Sequence, residues 1–190
     1  MYFLSMATQT SATFMGQAGH SYGFYSVATN NLGLVQVAPL TAQATTTVSP
    51  PVPPVIIGEQ AIFTRKTNKK GKPTGKPILT GFDLTFSAPL NAASATSTVN
   101  YQLDTVTTKK VKKKVTTILH PITKFTVSYS AASDSVDLNL IGTQTFPTGG
   151  KLTVVNRPPG GVSGATGAPL GGTTVFAISK TGRTITPTTS

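Results

Sequence analysis

The stretch from Thr80 to Leu103 constrains the fold most. Phe82, Leu84 and Phe86 alternate with Asp83, Thr85 and Ser87. A period of two belongs to a strand with one face on a core and the other in water. Pro89 lacks the N–H that a ladder needs, so it ends the strand. The small residues from Asn91 to Val99 read as a crossing loop or a single helical turn, and Tyr101 and Leu103 open the next strand. The pattern predicts that Phe82, Leu84 and Phe86 point inwards and face Val136, Leu138 and Leu140 from an opposing layer, with no cleft for a substrate.

Similar short alternations recur along the chain, while apolar residues at helical spacing are scarce. Thr, Ser, Gly, Pro and Val dominate. This composition predicts an all-β protein, a sandwich or barrel of short strands. The 190 residues allow one sizeable domain or two small ones. There is no cysteine, so a disulfide framework, a thiolate metal site and a cysteine nucleophile are all excluded. No window offers the ~20 consecutive apolar residues of a membrane-spanning helix. The opening Met-Tyr-Phe-Leu-Ser-Met has no basic segment and too short an apolar run for a secretory signal. Either the protein is not exported or this chain is a fragment of a longer, exported protein, and the fragment is the expectation.

Residues 1–48 read as two or three strands: Ala12 to Phe14, then Tyr22 to Thr29, then Leu34 to Val37 with Ala44 to Val48. The turns are Gly16 to Gly19 and Asn30 to Gly33, where Asn and Gly supply positive-φ positions. So few strands rarely bury enough surface to stand alone. Ser49-Pro-Pro-Val-Pro-Pro54 reads as a stiff polyproline spacer, 49–54. Residues 55–182 carry seven or more short strands separated by turn signals. Among them are hairpins tipped at Lys66 to Lys76 and Lys109 to Lys114, and a Gly/Pro-rich loop follows from Arg157 to Gly172. Residues 183–190, rich in Thr and Ser, read as a disordered tail.

Two resemblances follow from particular residues. Gly16 to Gly33, with Tyr22-Gly-Phe24-Tyr25-Ser-Val27-Ala28 and then Asn30-Asn31-Leu-Gly33, followed by Thr45-Thr-Thr-Val48, resembles the last strands of a fibronectin type III-like domain. Leu84-Thr-Phe86-Ser-Ala-Pro89-Leu90-Asn91 with Asn100-Tyr101-Gln-Leu103 resembles the bacterial Ig-like domains of S-layer and large surface proteins. Tyr129 to Leu138, Phe146 to Val154 and Gly164 to Gly171 continue that pattern. The resemblance implies an immunoglobulin-like β-sandwich at 55–182, preceded by a partial fibronectin type III-like unit, in an extracellular or cell-surface protein. Some relatives carry acids in the last loop. This chain has Ser163 and Ala168 there, which puts a calcium role in doubt.

Candidates for chemistry are few. The acids are Glu59, Asp83, Asp104, Asp134 and Asp137, and the histidines are His20 and His120. Asp134 and Asp137 fall on a turn and on the polar face of a strand, so they read as surface acids rather than the paired carboxylates of a glycosidase. The histidines lie in different candidate domains, without metal-ligand spacing. There is no Gly-x-Ser-x-Gly elbow and no phosphate-cradling glycine loop at a helix start. These residues predict no catalysis, cofactor or metal.

The net charge of +11 is local: eleven of the sixteen Lys and Arg fall in two runs. These are Arg65, Lys66, Lys69, Lys70, Lys72 and Lys76, and then Lys109, Lys110, Lys112, Lys113 and Lys114. If both hairpins lie at one end of a sandwich, they make a patch that attracts polyanions. No aromatic residue interrupts either run, so stacking on nucleic-acid bases, and with it specific nucleic-acid recognition, is not expected. The plainer reading is that lysines on hairpins block edge-to-edge pairing. Taken together, the chain is expected to be a non-catalytic spacer or adhesive module that contacts neighbouring domains of its own polypeptide. The alternatives are a module that binds anionic glycan or cell-wall polymer, and an accessory domain of a secreted hydrolase.

Overall fold

The computed structural model describes residues 13–112, 114–156, 160–172 and 174–188. The chain divides into two units, Met1–Pro51 and Val52–Ser190.

In the first unit, β1 (Ser21–Phe24) pairs antiparallel with β2 (Ala44–Thr47), Ser21 opposite Thr47 and Phe24 opposite Ala44. The hairpin continues as a single bridge, Thr29 to Val35, into the predicted turn. There the Asn30 side chain accepts from the N–H groups of Leu32 and Leu34, and Gly33 takes φ +80°. Of the strand expected at Ala12 to Phe14, Ala12 lies outside the described residues, and Thr13 and Phe14 join no ladder.

The second unit is all-β, with two antiparallel sheets around one core. Its strands are β3 (Ile56–Thr67), β4 (Pro73–Phe86), β5 (Tyr101–Val111), β6 (Lys114–Pro121), β7 (Phe125–Ser130), β8 (Ser135–Leu140), β9 (Gly150–Val154), β10 (Val175–Ile178) and β11 (Ile185–Pro187). The four-stranded sheet has the order β3-β4-β8-β7 and the five-stranded sheet β11-β10-β9-β5-β6. Phe82, Leu84, Phe86, Val136 and Leu138 from the first sheet meet Leu103, Leu152, Val154 and Phe176 from the second. This corrects one expectation. Phe82 lies beside Leu138 and Leu84 beside Val136 as cross-strand neighbours within one sheet, so these residues share a layer instead of opposing each other.

Between the sheets the chain crosses at 87–100. Asn91 caps α1 (Ala92–Thr96) by accepting from the Ser94 N–H at 3.1 Å. Buried Asn100 ties this crossing to the Gly/Pro-rich loop: its Oδ1 accepts from Gly161 N–H, and its Nδ2 donates to Ser94 O. The loop itself contributes Val162 and Leu170 to the core.

Two boundaries differ from the sequence reading. Pro54 is buried, its carbonyl accepts from Gly171 N–H at 2.8 Å, and Val55 bridges Gly171 in parallel. The C-terminal half of the 49–54 proline run therefore belongs to the second unit's packing. The tail expected to be disordered from 183 instead forms β11, with Ile185 buried and opposite Ile178. Three residues are too few for alternation to show in sequence. What holds them is an existing edge strand and the turn before it.

Candidate polyanion-binding end

The two lysine hairpins leave the same end of the sandwich, and the chain order explains why. β4 runs from the 68–72 turn down to Phe86, the 87–100 crossing stays at that far end, and β5 runs back up from Tyr101 to Val111. Contacts at their roots agree with this path. A Cβ on Gly182 would lie 2.9 Å from Leu79 and 3.4 Å from Phe146. From the Phe146 loop, Thr148 Oγ1 donates to Val106 O, and Val106 N–H donates to Gly149 O. Leu79 roots one hairpin and Val106 the other.

Both hairpins outrun their sheets. β4 pairs with β8 only as far as Gly81, and β5 pairs with β9 only as far as Thr105. Beyond those points each is a two-stranded ribbon. The β5–β6 ribbon projects about 20 Å, taking ~3.3 Å per residue. Every residue from Thr64 to Lys76 is exposed, as are Thr108, Lys109, Lys110 and Lys112. Lys113 and the side chain of Lys114 lie outside what the structure describes. Lys109 and Lys110 are successive residues of one strand and so take opposite faces, which leaves the ribbon charged on both sides.

Local geometry places these cations. At the first tip Asn68 Oδ1 accepts from the N–H groups of Lys70 and Lys72, each at 3.0 Å, and Gly71 takes φ +75°. The register slips between Thr64 and Lys66, where Gly75 also has positive φ, so Arg65 sits at a bulge. Such irregularities re-aim side chains. At the second tip Lys112 has φ 55°, a conformation that asparagine or glycine adopts at less cost.

Three further cations reach this end. Lys124 precedes β7 next to the top of β8. Lys180 and Arg183 lie in the β10–β11 turn, and all three are exposed. Arg183, absent from the sequence-based candidates, lines a cleft of about 510 Å³ together with Phe63, Arg65 and Pro77. A cleft was not expected at all. It opens where β11, an edge of one sheet, lies against β3, an edge of the other. A second cleft, of about 480 Å³, is lined by uncharged residues such as Asn91, Ser94, Asn100 and Ser163.

The acids are elsewhere. Asp83 and Asp137 stand opposite each other on the outer face of the four-stranded sheet, with Gln60 Nε2 donating to Asp83 at 3.4 Å. Burial, then the charge of Asp83, then a hydrogen bond with it, hold the Asp137 carboxyl above its ordinary range. Asp134 sits at a turn with φ 47° and accepts from Tyr129 Oη. Asp104 is buried opposite Lys151, and its Oδ2 has no hydrogen-bond partner among the described residues.

Of the histidines, His20 is exposed in the first unit. His120 Nε2 is 2.9 Å from Thr107 Oγ1 on the β5–β6 ribbon. No group of three or more His, Asp or Glu suited to a metal occurs among the described residues. Burial raises the Tyr101 phenol well above its ordinary range, and its hydroxyl donates to Ala95 O. No helix among the described residues is long and apolar enough to cross a membrane. No family model, curated protein or solved structure matches this chain.

Proposed function

We propose that this chain is a non-catalytic module whose second unit binds anionic polysaccharide through its basic end, as part of an extracellular or cell-surface protein. The observation that carries the reading is the convergence of two lysine ribbons, Lys180 and Arg183 on one end, with no acid between Thr64 and Lys76 or between Thr105 and Pro121. Cations on flexible stems, projecting into solvent from rigid ladders, suit a polymer that presents charge along its length. Lys112 at φ 55° adds support, since a turn selected for stability alone favours Asn or Gly at such a position. The strand orders β3-β4-β8-β7 and β10-β9-β5-β6 correspond to A-B-E-D and G-F-C-C′ of an immunoglobulin-like sandwich, and this supports that fold type for the second unit.

Heparin chromatography tests the reading. The wild-type chain is expected to be retained with strong salt dependence. Changing Lys109, Lys110, Lys112, Lys113 and Lys114 to Gln is expected to remove most of that retention. Unchanged retention in the Gln variant overturns the proposal.

A second reading rests on a different observation: β3 and β6 are edge strands carrying Arg65, Lys66 and Lys114. Beyond the paired part of their sheets β4 and β5, which carry Lys76, Lys109 and Lys110, also have a free edge. A plain spacer needs lysines there to prevent edge pairing. In that case the Gln variant self-associates with rising concentration, and the wild-type chain shows little affinity for heparin.

A further inference from the structure

We propose that the corner cleft between β3 and the β10–β11 turn is a subsite for one carboxylate-bearing pyranose ring, the uronic acid unit of an anionic polysaccharide. This rests on the polysaccharide-binding reading of the basic end and names what that end grips. Two features separate the cleft from the lysine ribbons around it.

Its cations are arginines, Arg65 and Arg183, whereas the ribbons otherwise carry only lysines. A guanidinium offers a planar fork matched to a carboxylate, while an ammonium acts as a point charge. Its wall is apolar: the half-buried Phe63 ring and Pro77. Flat apolar surface beside a few oriented polar groups suits a sugar ring that has C–H faces and one acid.

Both arginines are held by the backbone. Arg65 occupies the register slip between Thr64 and Lys66, and Pro77, which has no N–H, lies on the strand opposite. Arg183 sits in a turn closed by Gly182 N–H to Ser179 O at 2.8 Å and Ser179 N–H to Thr184 O at 2.9 Å. Its own N–H donates to Thr181 Oγ1 at 3.4 Å. Gly182 packs against Leu79 and Phe146, where a Cβ would not fit without movement, so the turn is fixed on the core. With the backbone at each arginine already fixed, binding has to order only its side chain.

The test uses the full chain and three soluble probes: a galacturonate trimer, its methyl ester and inorganic phosphate. The ionised trimer is expected to bind, with the uncharged ester at least tenfold weaker and phosphate failing to displace the trimer at equal concentration. Arg183→Lys and, separately, Arg65→Lys preserve the charge and lie at exposed positions. Each is expected to weaken trimer binding about fivefold, because an ammonium cannot replace the bidentate guanidinium fork. Wild-type affinity for the trimer in both variants, equal binding of the ester, or equally effective phosphate overturns the subsite. If heparin retention persists in that event, the basic-end reading survives without it. Loss of wild-type heparin retention together with trimer binding removes both.

Discussion

The two units use the same local vocabulary, alternating strands and Asn/Gly turns, and reach different ends. In the first, the turn is well made: Asn30 satisfies two backbone N–H groups, and Gly33 supplies the positive φ. Yet no described residue of that unit is buried. Phe24, Leu34 and Val35 remain 36%, 68% and 65% exposed. In the second, Phe82, Leu84, Val136, Leu138 and Leu152 are fully buried. Turn chemistry specifies where a chain reverses. Burial of one face against a second sheet is what makes the reversal part of a cooperative structure, because apolar area removed from water is the dominant favourable contribution.

The largest test of this contrast is a pair of truncations. Phe82→Ala removes a ring that packs edge-on to Phe146 at 6.1 Å and is expected to cost about 3–5 kcal/mol. Phe24→Ala removes a ring that touches Phe14 at 5.3 Å but stays partly in water, and is expected to cost less than ~1 kcal/mol. Urea denaturation followed by tyrosine fluorescence measures both. Comparable losses for the two variants break the contrast.

The same difference explains what could be read in advance. Strands and turns were legible because a period of two and an Asn-Gly turn are local signals: the alternation at Phe82 to Phe86, the start at Tyr101 and Leu103, and the alternation at Val136 to Leu140 fall on β4, β5 and β8. Which strands neighbour one another was not. Alternation assigns Phe82 and Leu138 to an apolar face, but only pairing decides whether they sit beside or across from each other. The candidate site divides in the same way. Its lysine runs are visible as charge, and their shared end follows only from the route of the 87–100 crossing. Arg183 joins Arg65 across 118 residues of sequence, through the closure of two sheet edges, and no local pattern records that. The Asp83–Asp137 pair is equally a product of register.

Glycines sharpen the comparison at intermediate size, because the two units use them for different reasons. A Cβ on Gly81 would collide with the carbonyl of Leu138 on the paired strand, whereas one on Gly33 would meet open space. Gly81→Ala should therefore destabilise the second unit by about 1–3 kcal/mol through overpacking. Gly33→Ala should cost about 1 kcal/mol through its backbone conformation alone. Asparagine separates the mechanisms, since it tolerates positive φ but is no smaller. Gly33→Asn is expected to preserve amide-exchange protection in the first hairpin, and Gly81→Asn to be at least as damaging as alanine. A harmless Gly81→Asn sinks the steric account.

The smallest expected effect concerns charge on a face that water still reaches. Asp137 holds its proton more tightly in the folded chain than in the unfolded one, through burial first and then through Asp83. The folded state thus binds more protons between the unfolded carboxylate value, about 4, and the raised folded value. Stability from this pair is greatest below that window, falls as pH rises through it, and is level above it. Asp137→Asn keeps an amide able to donate to Asp83 and abolishes the repulsion. It should stabilise the chain at pH 7 by a few tenths of a kcal/mol, since solvent screens an outward-facing pair. Below the window its advantage should vanish. Thermal melts of both proteins between pH 3.5 and 7.5 measure this difference, and an advantage for the variant that stays constant over the whole range excludes the shared proton as its cause. The first unit, in which every described residue is exposed or half-exposed and none is acidic, offers no counterpart to this slope. This contribution to the pH dependence of stability then belongs to the sheet that pairs its strands tightly enough to set two carboxylates face to face.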